Sequence, residues 1–218
     1  MADVRMARRA MVDQIQAMGV TNRRVLAAMR KVPREAFVPA AQQDNAHADK
    51  ALPLAEGQTI SQPYIVALML EAIAPRPDHN VLEIGTGSGY VAALLAELVR
   101  SVVTIERREG LATSARARLA GLGYGSVRVI AGDGTLGYPD AAPYDGIIVS
   151  AFGPDVPEAL REQLAIGGRL AMPVGSSGAA QRLVRVTRQG AETYATDDLG
   201  AVQFVPLIGA QGWPPQPD

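Results

Sequence analysis

The 218 residues are 48% hydrophobic and 20% charged with a formal net charge of −1, which suits one α/β domain with appendages and offers no basic excess for nucleic acid or an anionic membrane. Cysteine is absent and His47 and His79 are the only histidines, so disulfides, cysteine nucleophiles, thiolate zinc sites and histidine-rich metal sites are excluded, and no metal is expected. No uninterrupted apolar run outlasts Ile65 to Leu70, too short for a signal core or a membrane span, so the cytoplasm is the default location.

Residues 3 to 18 read as an amphipathic helix, since Val4, Ala7, Met11, Ile15 and Met18 recur near helical spacing and Gly19 follows as a stop. A second helix is predicted from Asn22, with Val25, Leu26 and Met29 on its apolar face, and Val32-Pro33 breaks it. Arg34 to Pro39 is expected to make one short turn, and the polar stretch Ala40 to Asp49 a loop. The apolar faces of these helices need a partner, so the region is expected to cap an α/β core.

Residues 51–63 show no period of 2 or 3.6 and lead into an apolar helix from Tyr64 to Ile73. Pro63 suits the first turn of that helix, where its missing N–H is not needed, and Ser61 or Gln62 suits the start. On residue type alone Ser61 reads as a helix cap.

The stretch by which everything else is placed is Val81-Leu82-Glu83-Ile84-Gly85-Thr86-Gly87-Ser88-Gly89-Tyr90. Asn80 to Ile84 is predicted as a buried strand and Val91 to Leu98 as an apolar helix, with the glycines in the turn between them. Glycine lets that backbone turn tightly and approach a ligand, and the helix presents unpaired N–H groups at its N-terminus. A dinucleotide-binding G-x-G-x-x-G would need glycine where Tyr90 stands, and the Gly-Lys-Ser/Thr of a P-loop is missing. Glu83-x-Gly85-x-Gly87-x-Gly89 resembles instead the cofactor loop of class I S-adenosylmethionine-dependent methyltransferases, which implies that Glu83 serves the methionine end of the cofactor. Val102 to Ile105 forms the next strand and ends in Glu106, 21 residues past Gly85. A carboxylate there can accept hydrogen bonds from both ribose hydroxyls.

Further along, Leu111 to Leu122 is predicted as a helix ended by Gly123, and Val127 to Ala131 as the third strand, followed by Gly132-Asp133-Gly134, an ordinary turn by residue type. Tyr144 to Ala151 is the fourth strand, Asp155 to Ala165 a helix, Gly168 to Val174 a fifth strand and Gly175 to Ala180 a flexible loop. Leu183 to Thr187 and Thr193 to Thr196 are expected to pair as a hairpin around Gln189-Gly190, Ala201 to Leu207 to be a last extended segment, and the tail from Trp213 to be loose.

Gly57-Gln58-Thr59-Ile60-Ser61-Gln62-Pro63, with Val66-Ala67 and Met69 after it, resembles the signature of protein-L-isoaspartate O-methyltransferases. The likeness continues in order through Val25-Leu26, Ala28-Met29, Val32-Pro33-Arg34 and Phe37-Val38-Pro39 upstream, and downstream through Gly132-Asp133-Gly134, Ala142-Pro143-Tyr144-Asp145, Gly167-Gly168-Arg169-Leu170, Pro173-Val174-Gly175 and Phe204-Val205-Pro206-Leu207. It spans about residues 8 to 213. One departure is His47, where many members carry a tyrosine before Asp49; the resemblance implies a place at the outer lip of the substrate cleft.

The resemblance implies an α/β, Rossmann-like, doubly wound seven-stranded methyltransferase sheet with an N-terminal helical cap and a C-terminal extended strand. A single domain is expected over 1–218, with residues 1–78 as cap and substrate loop, 79–175 as cofactor-binding core and 176–218 as C-terminal strands and tail. The implied activity is S-adenosylmethionine-dependent protein carboxyl methylation of isoaspartyl-containing proteins and peptides, by a monomer without nucleic-acid or membrane partners. Implied cofactor contacts are Gln58, Thr59, Ile60, Ser61, Glu83, Gly85, Thr86, Gly87, Ser88, Gly89, Glu106, Arg107, Asp133 and Gly134, with Asp133 and Gly134 at the adenine. Thr59, Ile60 and Ser61 would lie between cofactor and substrate, the Ser61 hydroxyl steadying the accepting carboxylate, and the backbone around Val202 and Phe204 would take the substrate as an added strand. Methylation of one dedicated peptide remains an alternative, although such relatives are expected to carry an extra C-terminal segment. A nicotinamide oxidoreductase is disfavoured by Tyr90, and a non-enzymatic binding module by the presence of Glu83, the glycines, Glu106 and Asp133.

Overall fold

The structure, a computed structural model, describes residues 2–176 and 180–215. In chain order it contains α1 (Ala2–Ala17), α2 (Arg23–Lys31), the two-residue strands β1 (Leu52–Pro53) and β2 (Thr59–Ile60), α3 (Pro63–Ala72), β3 (Asn80–Ile84), α4 (Tyr90–Ala96), β4 (Ser101–Glu106), α5 (Glu109–Gly121), β5 (Arg128–Ala131), β6 (Tyr144–Val149), α6 (Glu158–Glu162), β7 (Leu164–Val174), β8 (Gln181–Arg188) and β9 (Tyr194–Val202). Asn22 caps α2 as its type predicts, its side chain accepting from the Arg24 and Val25 N–H groups.

Seven strands form one sheet in the order β5-β4-β3-β6-β7-β8-β9. The first five are mutually parallel, and β8 and β9 add on antiparallel. From β3 the chain builds outward to β4 and β5 on one side, then returns to β6 and β7 on the other, so the strand order reverses at β3 and opens a crevice at the strands' C-terminal ends. The parallel strands are buried on both faces: Val81 looks into a core shared with α1, α2, α3 and α4, while Leu82 and Ile84 look into a second core with Ile147, Leu160 and Leu170.

Three expectations need correction. The helix predicted over 155–165 is confined to Glu158–Glu162, and Leu164 already belongs to β7. Leu164-Ala165-Ile166 is apolar enough for either state, and the chain bulges instead, with Gly167 at φ 84 and Gly168 so close to the Tyr144 carbonyl that a Cβ would lie 2.9 Å from it. The polar loop over 40–49 contains a 3-10 helix, Ala40–Asn45. The extended segment Ala201–Leu207 is not a strand of its own, since β9 runs through Val202 and beyond it Pro206 forms a single parallel bridge to Phe152. The loop expected at 175–180 lies partly outside the described residues, as does the end of the tail.

At the β9 edge, Arg185 pairs with Asp197 directly across the ladder at 2.9 Å and Arg182 with Asp198 at 2.7 Å, both aspartates being exposed.

Candidate active site

The glycine turn sits in the crevice where the strand order reverses. Gly85, Gly87 and Gly89 have φ of 90, 51 and 89°, a left-handed backbone repeated at every second residue that side chains resist. The Gly85 N–H donates to the Ile105 carbonyl at 2.8 Å, so the turn stays anchored to β4. Glu106 at the end of β4 braces the same turn: one carboxylate oxygen accepts the Gly87 N–H at 2.9 Å and the other the Arg108 N–H at 3.0 Å. Each oxygen keeps further acceptor capacity, and Glu106 lines the cavity above the turn together with Thr86, Ser88 and Arg107. Gly89 stands behind the cavity as the residue preceding α4.

Glu83 forms the floor of that cavity and is fully buried. Thr104 Oγ donates to its Oε2 at 2.6 Å, and Thr86 continues the chain to Thr104 at 2.6 Å. Burial, with a smaller contribution from the Glu106 charge and against the Thr104 bond, pushes the Glu83 carboxyl up to about 8. Its Oε1 has no hydrogen-bond partner among the described residues. An orphaned buried acceptor at a cavity wall is what an incoming ammonium or hydroxyl would satisfy.

Past β5, the Gly134 backbone reaches the cavity because it has no side chain: a Cβ there would lie 2.4 Å from the Ile84 Cγ2. Asp133 is one step outside, in an adjoining hollow with Arg107, Ile208 and Ala210. Its Oδ1 accepts from the Thr135 N–H and hydroxyl at 2.9 and 2.7 Å, and its Oδ2 from the Ala210 N–H at 2.7 Å. Burial raises the Asp133 carboxyl, but these bonds outweigh it and hold the group below the usual range.

The opposite wall comes from the stretch without periodicity. β1 and β2 pair antiparallel, Leu52 with Ile60 and Pro53 with Thr59, and make a small hairpin whose tip contains Glu56 at φ 55°. Glu56 reaches Arg108 at 3.3 Å, so the tip is tied to the far side of the glycine turn. Gln58, Thr59, Ile60 and Ser61 line the cavity from this side. Ser61 does not cap α3. That place belongs to Gln62, which forms no capping bond and donates to Asp49 instead at 2.8 Å, while Asp49 accepts the Tyr64 N–H at 2.8 Å and so does the capping itself. The Ser61 hydroxyl makes no hydrogen bond among the described residues, which leaves it available at the cavity wall.

Val202 and Phe204 are not brought to the cavity; their side chains pack on the core formed with α1 to α4. Val202 pairs with Gln181, and the Phe204 N–H and carbonyl bond the Gln181 side-chain amide at 2.6 and 3.1 Å. Both main chains therefore face β8. Val205 does line the cavity, and its carbonyl accepts from the Phe152 N–H at 2.8 Å. His47 lies inside the helical cap, with Nε2 3.1 Å from the Glu35 carboxylate that also pairs with Arg8.

Residue reasoning missed Ser150, Ala151, Leu207 and Ile208 on the cavity wall. Ser150 and Ala151 directly follow β6, and the rule that ligands bind beyond the carboxyl ends of strands flanking the order reversal points to them. Nothing in the local sequence around Leu207 carries such a signal.

The model of the protein-L-isoaspartate(D-aspartate) O-methyltransferase family matches residues 6–212. The chain belongs to that family. It is 58% identical over 200 residues to the protein-L-isoaspartate O-methyltransferase of Rhodopseudomonas palustris, covering 92% of each chain, and 54% identical over 207 residues to that of Methanoregula boonei, covering 94% of each. Among solved structures, a protein-L-isoaspartate O-methyltransferase superposes with a TM-score of 0.86 at 27% identity, over 94% of this chain and 67% of that one. A Plasmodium falciparum protein in complex with S-adenosyl-L-homocysteine shares the fold, with a TM-score of 0.80 at 22% identity over 92% of this chain and 98% of that one. The seven-stranded methyltransferase sheet inferred from sequence is thus the observed one.

Proposed function

We propose that the chain transfers a methyl group from S-adenosylmethionine to the free α-carboxylate of L-isoaspartyl residues in proteins and peptides, which initiates repair of that linkage. The observation that carries this reading is one cavity walled on one side by Glu83, the glycine turn and Glu106, and on the other by Thr59, Ile60 and Ser61, in a chain of this family.

The residues fit the donor. The orphaned Glu83 Oε1 suits the ammonium of its amino-acid end, Glu106 suits two adjacent ribose hydroxyls, and the Gly134 backbone at the cavity wall suits a flat ring edge, with Asp133 beside it for an exocyclic amine. When bound, S-adenosylmethionine supplies a methyl group on a positively charged sulfur. The accepting carboxylate is ionised at pH 7 without help, so the protein needs no base. Its task is to hold the acceptor in line and keep it there, which supplies on the order of 7 to 11 kcal/mol of barrier reduction. Ser61 is assigned to the acceptor carboxylate through its uncommitted hydroxyl.

Backbone pairing with the substrate chain suits an enzyme that meets many sequences. Because the Val202 and Phe204 main chains face Gln181, and successive residues of an extended segment turn their main-chain groups to alternate sides, the pairing edge is assigned to Gln203 and the Val205 N–H. The net charge of −1 supports work without nucleic acid or membrane partners, and no described helix is long and apolar enough to cross a membrane. We further propose, as the family likeness suggests, that it works as a monomer in the cytoplasm.

The test uses two synthetic peptides that differ only in an isoaspartyl or normal aspartyl linkage, with labelled donor and trapping of the base-labile ester. Labelling of the isoaspartyl peptide alone is expected. The isomerised bond leaves the carboxylate on an arm one methylene shorter, and a displacement of about 1 Å can lower a rate about a hundredfold. Equal labelling, or labelling of the normal peptide alone, would refute the reading.

A further inference from the structure

Arg34 is fully buried, yet among the described residues no carboxylate lies within ion-pair distance of it. Its partners are two main-chain carbonyls from different segments: Nε donates to Ala46 O at 2.9 Å and Nη2 to Ser61 O at 2.9 Å. The guanidinium carbon stands 4.9 Å from the centre of the Tyr90 ring, a cation held over an aromatic face. Tyr90 is the first residue of α4, directly after Gly89, and its ring also packs against Phe37 at 5.6 Å. One buried side chain thus touches both halves of the site: the end of the acceptor-side hairpin and the first residue past the donor turn.

Burying a cation without a contact ion pair is unfavourable, and here burial, against smaller opposing contributions from Tyr90 and the more distant Asp49 charge, pulls the Arg34 guanidinium below its usual range. An apolar side chain of similar volume would fill the space without that penalty. What it would not do is fix the Ser61 carbonyl. The planar guanidinium bonds two carbonyls from different segments while standing over the Tyr90 ring, which a lysine ammonium does not reproduce. The neighbouring bonds finish the clamp, since Asp49 holds Gln62 and Tyr64 immediately after Ser61.

We infer that Arg34 is a positioning residue for methyl transfer: it sets the Ser61 main chain at a fixed distance from the donor turn by gripping the Ser61 carbonyl while resting on Tyr90. The inference rests on the methyl-transfer reading and on the role assigned to Ser61.

Arg34→Lys and Arg34→Met are compared with the parent by circular dichroism, by calorimetric titration with S-adenosylmethionine, and by steady-state kinetics on an isoaspartyl peptide at saturating donor. The titration stoichiometry counts competent molecules, so turnover is expressed per donor site even if a variant is partly unfolded. The expected result is a donor Kd within about twofold of the parent and a kcat lowered about ten- to a hundredfold, with KM moving less, and with Lys retaining more activity than Met. Arg34→Lys combined with Ser61→Ala is expected to lose little beyond Ser61→Ala alone, as residues acting through one another do. An unchanged kcat per donor site in Arg34→Lys and Arg34→Met overturns the inference, because a merely structural arginine would lower the melting temperature only. Where Ser61→Ala itself lowers kcat, losses that multiply in full in the double variant overturn it too, since Arg34 would then act elsewhere. If Ser61→Ala alone keeps full kcat, the hydroxyl assignment fails; a lowered kcat in Arg34→Lys still upholds the grip on the hairpin main chain, and an unchanged one refutes it.

Discussion

The Gly87 N–H and the Glu106 carboxylate meet at 2.9 Å, so the side chain assigned to the ribose also holds the glycine turn in shape. Removing it should therefore act on binding twice. Glu106→Ala is expected to weaken S-adenosylmethionine binding by roughly ten- to a hundredfold, the equivalent of about 1.5 to 3 kcal/mol for lost bonds to a charged acceptor, with circular dichroism unchanged. Unaltered affinity in a titration of the folded variant would remove the assignment.

Glu83 makes stability depend on pH in an unusual direction. Its carboxyl is raised from an ordinary 4.5 to about 8, so the ligand-free folded state keeps a proton that the unfolded state has released and that an ammonium bound at Oε1 would displace. The contribution is fully present below about 4.5 and is lost as pH rises towards about 8, with a slope of at most about 1.4 kcal/mol per pH unit. Urea unfolding of the ligand-free protein between pH 5 and 9 should show this decline, and Glu83→Gln should flatten it. A parent curve that rises across the same window would contradict the buried, protonated assignment.

For Ser61→Ala the structure separates two outcomes that residue type leaves open. A helix-capping serine is worth about 0.5 to 2 kcal/mol, but Gln62 occupies the cap position and Asp49 takes the Tyr64 N–H. The variant should melt like the parent and lose roughly ten- to a hundredfold in kcat, with donor affinity retained. A lowered melting temperature at normal turnover would restore the capping role.

Gly134→Ala places a methyl 2.4 Å from the Ile84 Cγ2. Overpacking of this kind costs about 1 to 3 kcal/mol, and Ile84→Ala alone should cost about 2 to 5 kcal/mol. The double variant should be more stable than the sum of the two losses implies, because the second change removes the clashing atom. Additive losses in denaturant unfolding would show that the strain goes elsewhere.

The elements that sequence reading located well are those whose signal is short-range. Val81 to Ile84 and Ile147 to Val149 are apolar runs as expected of strands covered on both faces, and the alternating glycines mark their turn unaided. The β1–β2 hairpin was invisible because two-residue strands are too short to show alternation. Leu164 to Ile166 suits helix and strand equally, and only pairing with β6 decides. On the cavity wall, Glu106 is legible through its spacing from the glycines and Glu83 through the resemblance of its loop to the methyltransferase cofactor loop, whereas Leu207 arrives from the far end of the chain and nothing in the type of Arg34 points to the two carbonyl partners it has in the fold.

The outer strand of the sheet has an implication for how such a molecule survives among its substrates. An enzyme that works on damaged chains meets exposed peptide backbone constantly, and an open strand edge is a template for pairing with it. β9 answers with Asp197 and Asp198 on its exposed surface and arginines on the strand beside it. An incoming strand would have to bring carboxylates and guanidinium groups into register with its own side chains, so this edge is a poor template for a stray chain.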